Sequence, residues 1–268
     1  MPNSLDGSSR KHRLGVVSYL NAKPLTDGLD SNANLELTHA VPAALAPMLD
    51  AGDVDVALVP VIDLVGPDRK WKIISDACIG CDGETLTVRV FSNIPASEVE
   101  TLYVDGDSHT SVALAQVIWL QQFNRRLNIV QLDDSIDRNQ CDAILLIGDK
   151  VITSHLPHLD MQIDLGGAWK SLTGLPFVFA AWAADQDYDA GNLDEVLASA
   201  RDRGVKNANE IASNIGPGLG WPVELAQRYL THRLRFTITP RHKEGLTRFI
   251  ALAQEFDLVP NKQELVFA

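Results

Sequence analysis

The sequence predicts an α/β fold of two lobes closed around a ligand cleft. Three observations carry that expectation. Apolar runs at 13–20, 35–40 and 54–60 alternate with helical segments, a β-α-β-α-β start that implies a parallel sheet with right-handed crossovers. Strand-like pieces then resume at TLYVD (101–105), NIVQL (128–132) and DAILLIGD (142–149), enough for a second α/β unit. From about 188 onward the pattern is mostly helical.

Taken in order, RLGVVSYL (13–20) reads as a first buried strand, and Pro24 suits the first turn of a helix after it. Pro42 opens a helix through Leu45, Met48 and Leu49 that Gly52 ends. VDVALVP (54–60) is a continuous apolar run, as a strand covered on both faces requires. KIISDACI and LTVRVFS, within 71–92, look like two strands joined by the turn Cys81-Asp82-Gly83-Glu84. Pro95 breaks the pattern before TLYVD. A helix follows GDSHTS, with Val112, Ala115, Trp119 and Phe123 spaced along one face. VFAAW (178–182) is a further strand, and helical stretches follow near 192–203, 206–214, 222–234 and 241–257. The expected lobes are residues 1–94 plus 181–268, and residues 95–180, with crossovers near 92–96 and 178–184. Two passages between lobes make a hinge, the architecture of type II periplasmic-binding-protein domains. Ligands in open α/β sheets sit outside the carboxyl ends of strands, here Ser18 to Asn21, Pro60, Ser92, Asp107 to Ser111 and Gly148-Asp149.

Composition narrows the partners. With 268 residues the chain is long for one core and comfortable for two lobes. Its 46% hydrophobic and 22% charged residues are ordinary for a globular protein. The net charge of −12 argues against nucleic acid and anionic lipid as partners, but a pocket of N–H groups and hydroxyls still suits a small anion. Residues 1–13 are polar and read as a frayed tail. LGVVSYL is far too short to span a membrane and no secretory cleavage pattern follows it, so the expected location is the cytoplasm. The three cysteines are an odd number, in keeping with a reducing compartment. Cys78 and Cys81 form a lone C-x-x-C at a strand end rather than a helix start, which favours buried structural thiols over a redox or metal role. His155 and His158 have no convincing third ligand, so no metal is expected. There is no phosphate loop, HExxH or G-x-S-x-G elbow, and GPGLGWP (216–222) reads as a helix-linking turn.

Several polar residues stand at the expected strand ends. Asn21 either caps a helix or aims its amide into the cleft. Ser108, Thr110 and Ser111 bring three hydroxyls to a helix N-terminus, more than one cap needs, and favour an anion site. His109 is either an acid–base group or a solvent-facing loop residue. Thr87 either faces the cleft or is simply a good strand former. Asp149 either orients a helix or faces the cleft, and core packing explains Trp169 and Phe177 at least as well as ligand stacking.

Six blocks in order, SYLNAKPL (18–25), DVDVALVPVIDL (53–64), CIGCDGETLTVRVFS (78–92), HTSVALAQ (109–116), DAILLIGD (142–149) and DLGGAWKSLTGLPFVFAAW (164–182), resemble the chorismate dehydratase family of menaquinone biosynthesis by the futalosine route. The resemblance spans about 14–185, over half the chain. It implies the binding-protein fold, no cofactor, and elimination of water from the small anion chorismate, a hydro-lyase reaction giving 3-[(1-carboxyvinyl)oxy]benzoate. The ring C–H beside the ether is conjugated through the ring alkene to a carboxylate, and aromatisation drives loss of the neighbouring hydroxyl. Such a site holds two carboxylates and assists the departing hydroxide. The resemblance places Asn21 and Thr87 in the chemistry, Thr87 standing where some relatives carry serine. Ser18, Ser92, Ser108, His109, Thr110, Ser111 and Asp149 are the expected substrate contacts. No motif supplies a carboxylate or histidine base, so the substrate's enolpyruvyl carboxylate is a candidate proton acceptor. Two other readings stand beside this one. A 1,4-dihydroxy-6-naphthoate synthase-like sister enzyme would use a histidine base, for which only His109 is available. A non-catalytic binding protein for an anionic metabolite would show tight binding without turnover.

Overall fold

The computed structural model describes residues 11–260 and 263–268. The chain opens with β1 (His12–Val17), β2 (Leu35–Ala40), α1 (Pro42–Asp50), β3 (Val56–Pro60) and β4 (Trp71–Cys81). Its middle holds β5 (Val88–Ser92), β6 (Thr101–Val104), α2 (His109–Phe123), β7 (Asn128–Gln131), β8 (Ala143–Ile147), α3 (Lys150–Thr153), β9 (Met161–Asp164) and α4 (Leu165–Thr173). β10 (Phe177–Asp185) then leads to α5 (Leu193–Lys206), α6 (Ala208–Ile215), α7 (Val223–Arg228), β11 (Leu234–Thr237) and α8 (Pro240–Glu255). Of the polar stretch expected to fray, residues 1–10 lie outside the described residues, while His12 and Arg13 already belong to β1.

The strands form two sheets, in the orders β11-β4-β10-β3-β1-β2 and β7-β6-β8-β5-β9. β1 pairs parallel with both β2 and β3, as the β-α-β-α-β opening requires. β10 runs antiparallel between β3 and β4, with Ala181 opposite Val59. In the second sheet β5 runs antiparallel to β8, Val90 opposite Leu145, while β6 is parallel to β8 and β7. β10 and β11 are reversed in the first sheet and β5 alone in the second, as expected of a chain that crosses over and returns.

Sheet membership departs from the expected boundaries. β4 and β5 are not a hairpin: β4 belongs to the first sheet and β5 to the second. The turn at Cys81–Glu84 is therefore the outgoing crossover, and the chain changes sheet at 82–87 rather than near 92–96. The return lies between Asp164 and Phe177, because all of β10 is in the first sheet. α4 fills that return and packs against α2.

One hydrophobic core runs through both sheets and the C-terminal helices. β8 shows why an all-apolar strand is needed there: Leu145 and Ile147 point into this core, while Ile144 and Leu146 pack with Phe91, Cys141 and Leu159 on the opposite face, the alternation of a pleated strand. Cys78 and Cys81 are fully buried within the core, and burial pushes both thiols well above their ordinary range. A thiol held protonated is a poor nucleophile and a poor metal ligand. No described helix is long and apolar enough to cross a membrane.

Candidate functional site

A cavity of about 40 Å3 sits at the carboxyl ends of β1, β3 and β8, between the sheets. Its polar lining comes from Asn21, Thr85, Thr87, Ser108, Ser111 and Tyr229. Val17, Ile79, Val88, Ile147 and Phe179 supply its apolar walls. Among the described residues, no Lys, Arg, His, Asp or Glu lines it. Four of the residues expected at the site, Asn21, Thr87, Ser108 and Ser111, thus meet in one place from segments far apart in sequence.

Asn21 lies on a 3-10 turn, Leu20–Leu25, in place of the α-helix expected there. Pro24 within the turn denies it a full helical hydrogen-bond ladder. Tyr19 occupies the capping position and no side chain caps the turn, so the capping reading of Asn21 falls away. Its side chain instead lines the cavity with Tyr229, and its Oδ1 is buried with no protein partner. A buried amide oxygen without a partner is costly, and the arrangement makes sense where a ligand supplies the donor.

Thr87 is 1% exposed, and its Oγ1 lies 2.6 Å from the Tyr229 hydroxyl. Tyr229 is itself buried and stacks on Trp221, rings 4.8 Å apart and 18° from parallel. Burial raises the Tyr229 phenol above its ordinary range, opposed by its bonds to Thr87 and Asn21; it stays protonated at neutral pH. Thr85 lines the same cavity as Thr87, although the segment between β4 and β5 that carries both is a bend rather than an extended strand. The segment carrying both is pinned by Asp164, which accepts from the backbone N–H of Thr85 at 2.9 Å and Leu86 at 2.7 Å, and caps α4 through Gly167 at 3.0 Å. Leu86 has φ 74, a left-handed conformation costing a bulky residue about 1–2 kcal/mol. The two bonds to Asp164 hold that strained link between the cavity threonines.

On the opposite wall the N-terminus of α2 meets the cavity. Ser108 caps it, accepting from the Ser111 N–H at 3.2 Å, and the two hydroxyls are 3.0 Å apart. Capping and lining are thus the same feature: both hydroxyls line the cavity at the start of α2, and the helix dipole adds partial positive charge.

Other expected contacts take different roles. Ser92 lies at the far end of β5 from Thr87, its hydroxyl is engaged by the backbone of Ile94 in a local turn, and it does not line the cavity. Thr110 is fully buried and accepts from the Ile62 N–H at 3.2 Å, fastening α2 to the segment after β3 rather than touching the cavity. Ser18 closes β1, its N–H bonding Ala40 O, and does not line the cavity. His109 points away and pairs with Asp63 at 2.9 Å. Asp149 sits directly behind the cavity wall, accepting from Trp221 Nε1 at 2.8 Å and from the Leu20 N–H at 3.3 Å. Burial raises its carboxyl pKa, opposed by those two donors.

Contacts that join the sheets around the cavity include the Asp149 contact, the Ala43 N–H donating to Asp107 O, and the Tyr19 hydroxyl donating to the Asp107 carboxylate, which also pairs with Lys150. Tyr19 packs flat on Gly148, where a Cβ would lie 2.7 Å from its ring and where φ is 58, so only glycine lets the sheets approach this closely. Free space of about 40 Å3 holds a few water molecules. A metabolite must therefore part the sheets to reach it, a hinge motion of the kind that gates ligand sites. No group of three or more His, Cys, Asp or Glu among the described residues is placed to hold a metal.

His109 gives a direct check. Its bond to Asp63 raises its pKa, so it adds stability that is complete below the unfolded value of about 6.5 and lost as pH rises through the folded pKa. With 48% of the side chain exposed, the contribution stays below about 1 kcal/mol. His109→Gln is expected to leave turnover unchanged and to lower the melting temperature only on the acid side. Abolished turnover at parental stability would place this histidine in the chemistry.

A sequence profile described as menaquinone biosynthesis matches residues 12–255. A chorismate dehydratase from Thermus thermophilus is 27% identical over 262 residues, covering 90% of this chain and 94% of its own. Among solved structures, an Archaeoglobus fulgidus protein has TM-score 0.73 at 16% identity, over 94% of this chain and 100% of its own. The alkanesulfonate-binding protein SsuA from Xanthomonas axonopodis pv. citri, bound to MOPS, has TM-score 0.64 at 12% identity, over 96% of this chain and 98% of its own. The likeness to the alkanesulfonate-binding protein establishes the two-lobed periplasmic-binding-protein fold.

Proposed function

Since the chain belongs to the menaquinone-biosynthesis family, together with the chorismate dehydratase it matches, we propose that it eliminates water from chorismate to give 3-[(1-carboxyvinyl)oxy]benzoate. The observation that carries this reading is the neutral cavity: an amide, hydroxyls and a helix N-terminus, with no side-chain base among them. The substrate is a dianion. The N-terminus of α2 with Ser108 and Ser111 receives one carboxylate, where N–H groups bind an anion without a cation. Asn21 and Thr87 face the ring hydroxyl and assist its departure as charge develops on it. Tyr229, held protonated, is no base, and His109 stands outside the cavity. The ring proton then passes to the substrate's own enolpyruvyl carboxylate, held close by the closed sheets.

The same neutrality weighs against the naphthoate synthase-like alternative, which needs a histidine in the cleft. Incubation with chorismate, followed by ultraviolet absorbance, separates the readings. Steady aromatisation is expected. Tight binding with an unchanged spectrum would make the chain a binding protein, and turnover only of a later naphthoate precursor would make it the sister enzyme.

Ser111→Ala is expected to raise KM several-fold, up to about 10-fold for one bond to a carboxylate, with a smaller change in kcat. A bond present in ground and transition states alike affects binding rather than turnover. Equal falls in kcat and kcat/KM would move Ser111 into the elimination step.

A further inference from the structure

We propose that Tyr229 is a positioning residue that fixes how Thr87 presents its hydroxyl to the cavity, and that Asp149 holds Tyr229 there through Trp221. The inference rests on the dehydratase reading for its kinetic test, and on geometry alone for the rest.

Thr87 Oγ1 and the Tyr229 hydroxyl are 2.6 Å apart, and both residues line the cavity beside Asn21. Their shared hydrogen bond fixes the rotation of the Thr87 hydroxyl, whichever oxygen donates, and so sets what that hydroxyl still offers a ligand. Asn21 Oδ1, buried without a protein partner, is an acceptor at the same cavity. Without the phenol, the Thr87 hydroxyl is free to rotate and its hydrogen bond to the cavity is no longer preset.

Tyr229 is in turn held from outside. It opens a π-helical turn, Tyr229–Arg233, following α7, a wide form that recurs at functional sites. Trp221 stacks beneath its ring and donates Nε1–H to Asp149 at 2.8 Å. The same carboxylate accepts from the Leu20 N–H, one residue before Asn21. One acidic group following β8 thus ties both the support of Tyr229 and the turn carrying Asn21 to the second sheet. When the sheets part, both anchors are released together.

A double-mutant cycle tests the proposal. Tyr229→Phe keeps the stacked ring and removes the hydroxyl, and is expected to lower kcat on chorismate by about 10- to 100-fold, with KM changed less than about threefold. In a Thr87→Val background, where there is no hydroxyl left to orient, Tyr229→Phe is expected to cost at most about threefold more, because residues acting as one unit are not additive. Parental kcat in folded Tyr229→Phe, or full additivity in the cycle, overturns the proposal. Trp221→Phe, which keeps an aromatic ring but loses the N–H, is expected to give the same kcat-weighted loss; a pure KM effect also overturns it. A readout independent of turnover is the indole N–H resonance of Trp221, assigned by its loss in Trp221→Phe. It is expected to move in Asp149→Ala, and an unmoved resonance removes Asp149 from the chain. If the parent protein leaves chorismate unchanged, the dehydratase reading fails while this resonance still decides the link from Asp149 to Trp221.

Discussion

Asn21→Ala is expected to lower turnover by about 10²-fold or more, the usual scale for removing one preorganised polar group from a developing charge. The structure separates this from a stability effect. Asn21 caps nothing, so the ~1 kcal/mol loss of a helix cap does not apply. The variant instead removes the buried acceptor at the cavity. Binding of the product-like benzoate, which lacks the ring hydroxyl, is expected to change far less than turnover. Thermal melts and single-turnover assays on one preparation decide the matter. A variant that melts several degrees lower yet aromatises chorismate at the parental rate would remove Asn21 from the mechanism.

Gly204→Ala is expected to damage the site from outside it. α5 packs against the 3-10 turn Leu20–Leu25 that carries Asn21. A Cβ at position 204 would lie 1.9 Å from the carbonyl oxygen of Pro24. That neighbour is backbone, so helix and turn must part by more than an ångström. Overpacking of this kind costs about 1–3 kcal/mol, against which the ~1 kcal/mol preference of a helix for alanine over glycine is a partial offset. The displaced turn carries Asn21 with it, and a misplacement on the order of 1 Å is worth up to about 10²-fold in rate. Lower melting temperature and lower kcat are expected together. Gly218→Ala, where a Cβ meets nothing within 4 Å, is the control and should alter neither. If Gly204→Ala matches the parent in both, α5 does not hold the turn.

The elements with long, one-sided patterns were legible from the residues. β1 to β3 with α1, α2 with its hydroxyl-rich start, and β8 each follow from local periodicity and caps. β9 and β11 were not legible, being four residues each with mixed polarity, MQID and LRFT; only their partner strands define them. The outgoing crossover was misplaced because Cys81–Glu84 has ordinary turn chemistry. Whether such a turn joins a hairpin or leads to another sheet is settled by tertiary pairing, not by the turn. The site divides the same way. Asn21, Thr87, Ser108 and Ser111 stand at strand ends and a helix start, where chain direction alone points them at a cleft. Thr110 and His109 belong to the same motif, but the helical turn rotates them off the cavity. Tyr229 lies 142 residues from Thr87 in a stretch that reads as an amphipathic helix. The π-helical turn that aims it inward has no local signal. Trp221, read as part of a turn, left the same gap.

The most direct test of the central claim is the structure of the product. Chorismate is incubated with the parent protein and with Asn21→Ala, and proton NMR follows the olefinic and aromatic signals. Expected for the parent are three-substituted benzoate signals with the enolpyruvyl methylene retained, and a rate about 10²-fold lower in the variant. Loss of the enolpyruvyl group, or chorismate unchanged by a folded parent protein, would contradict dehydration in this cavity.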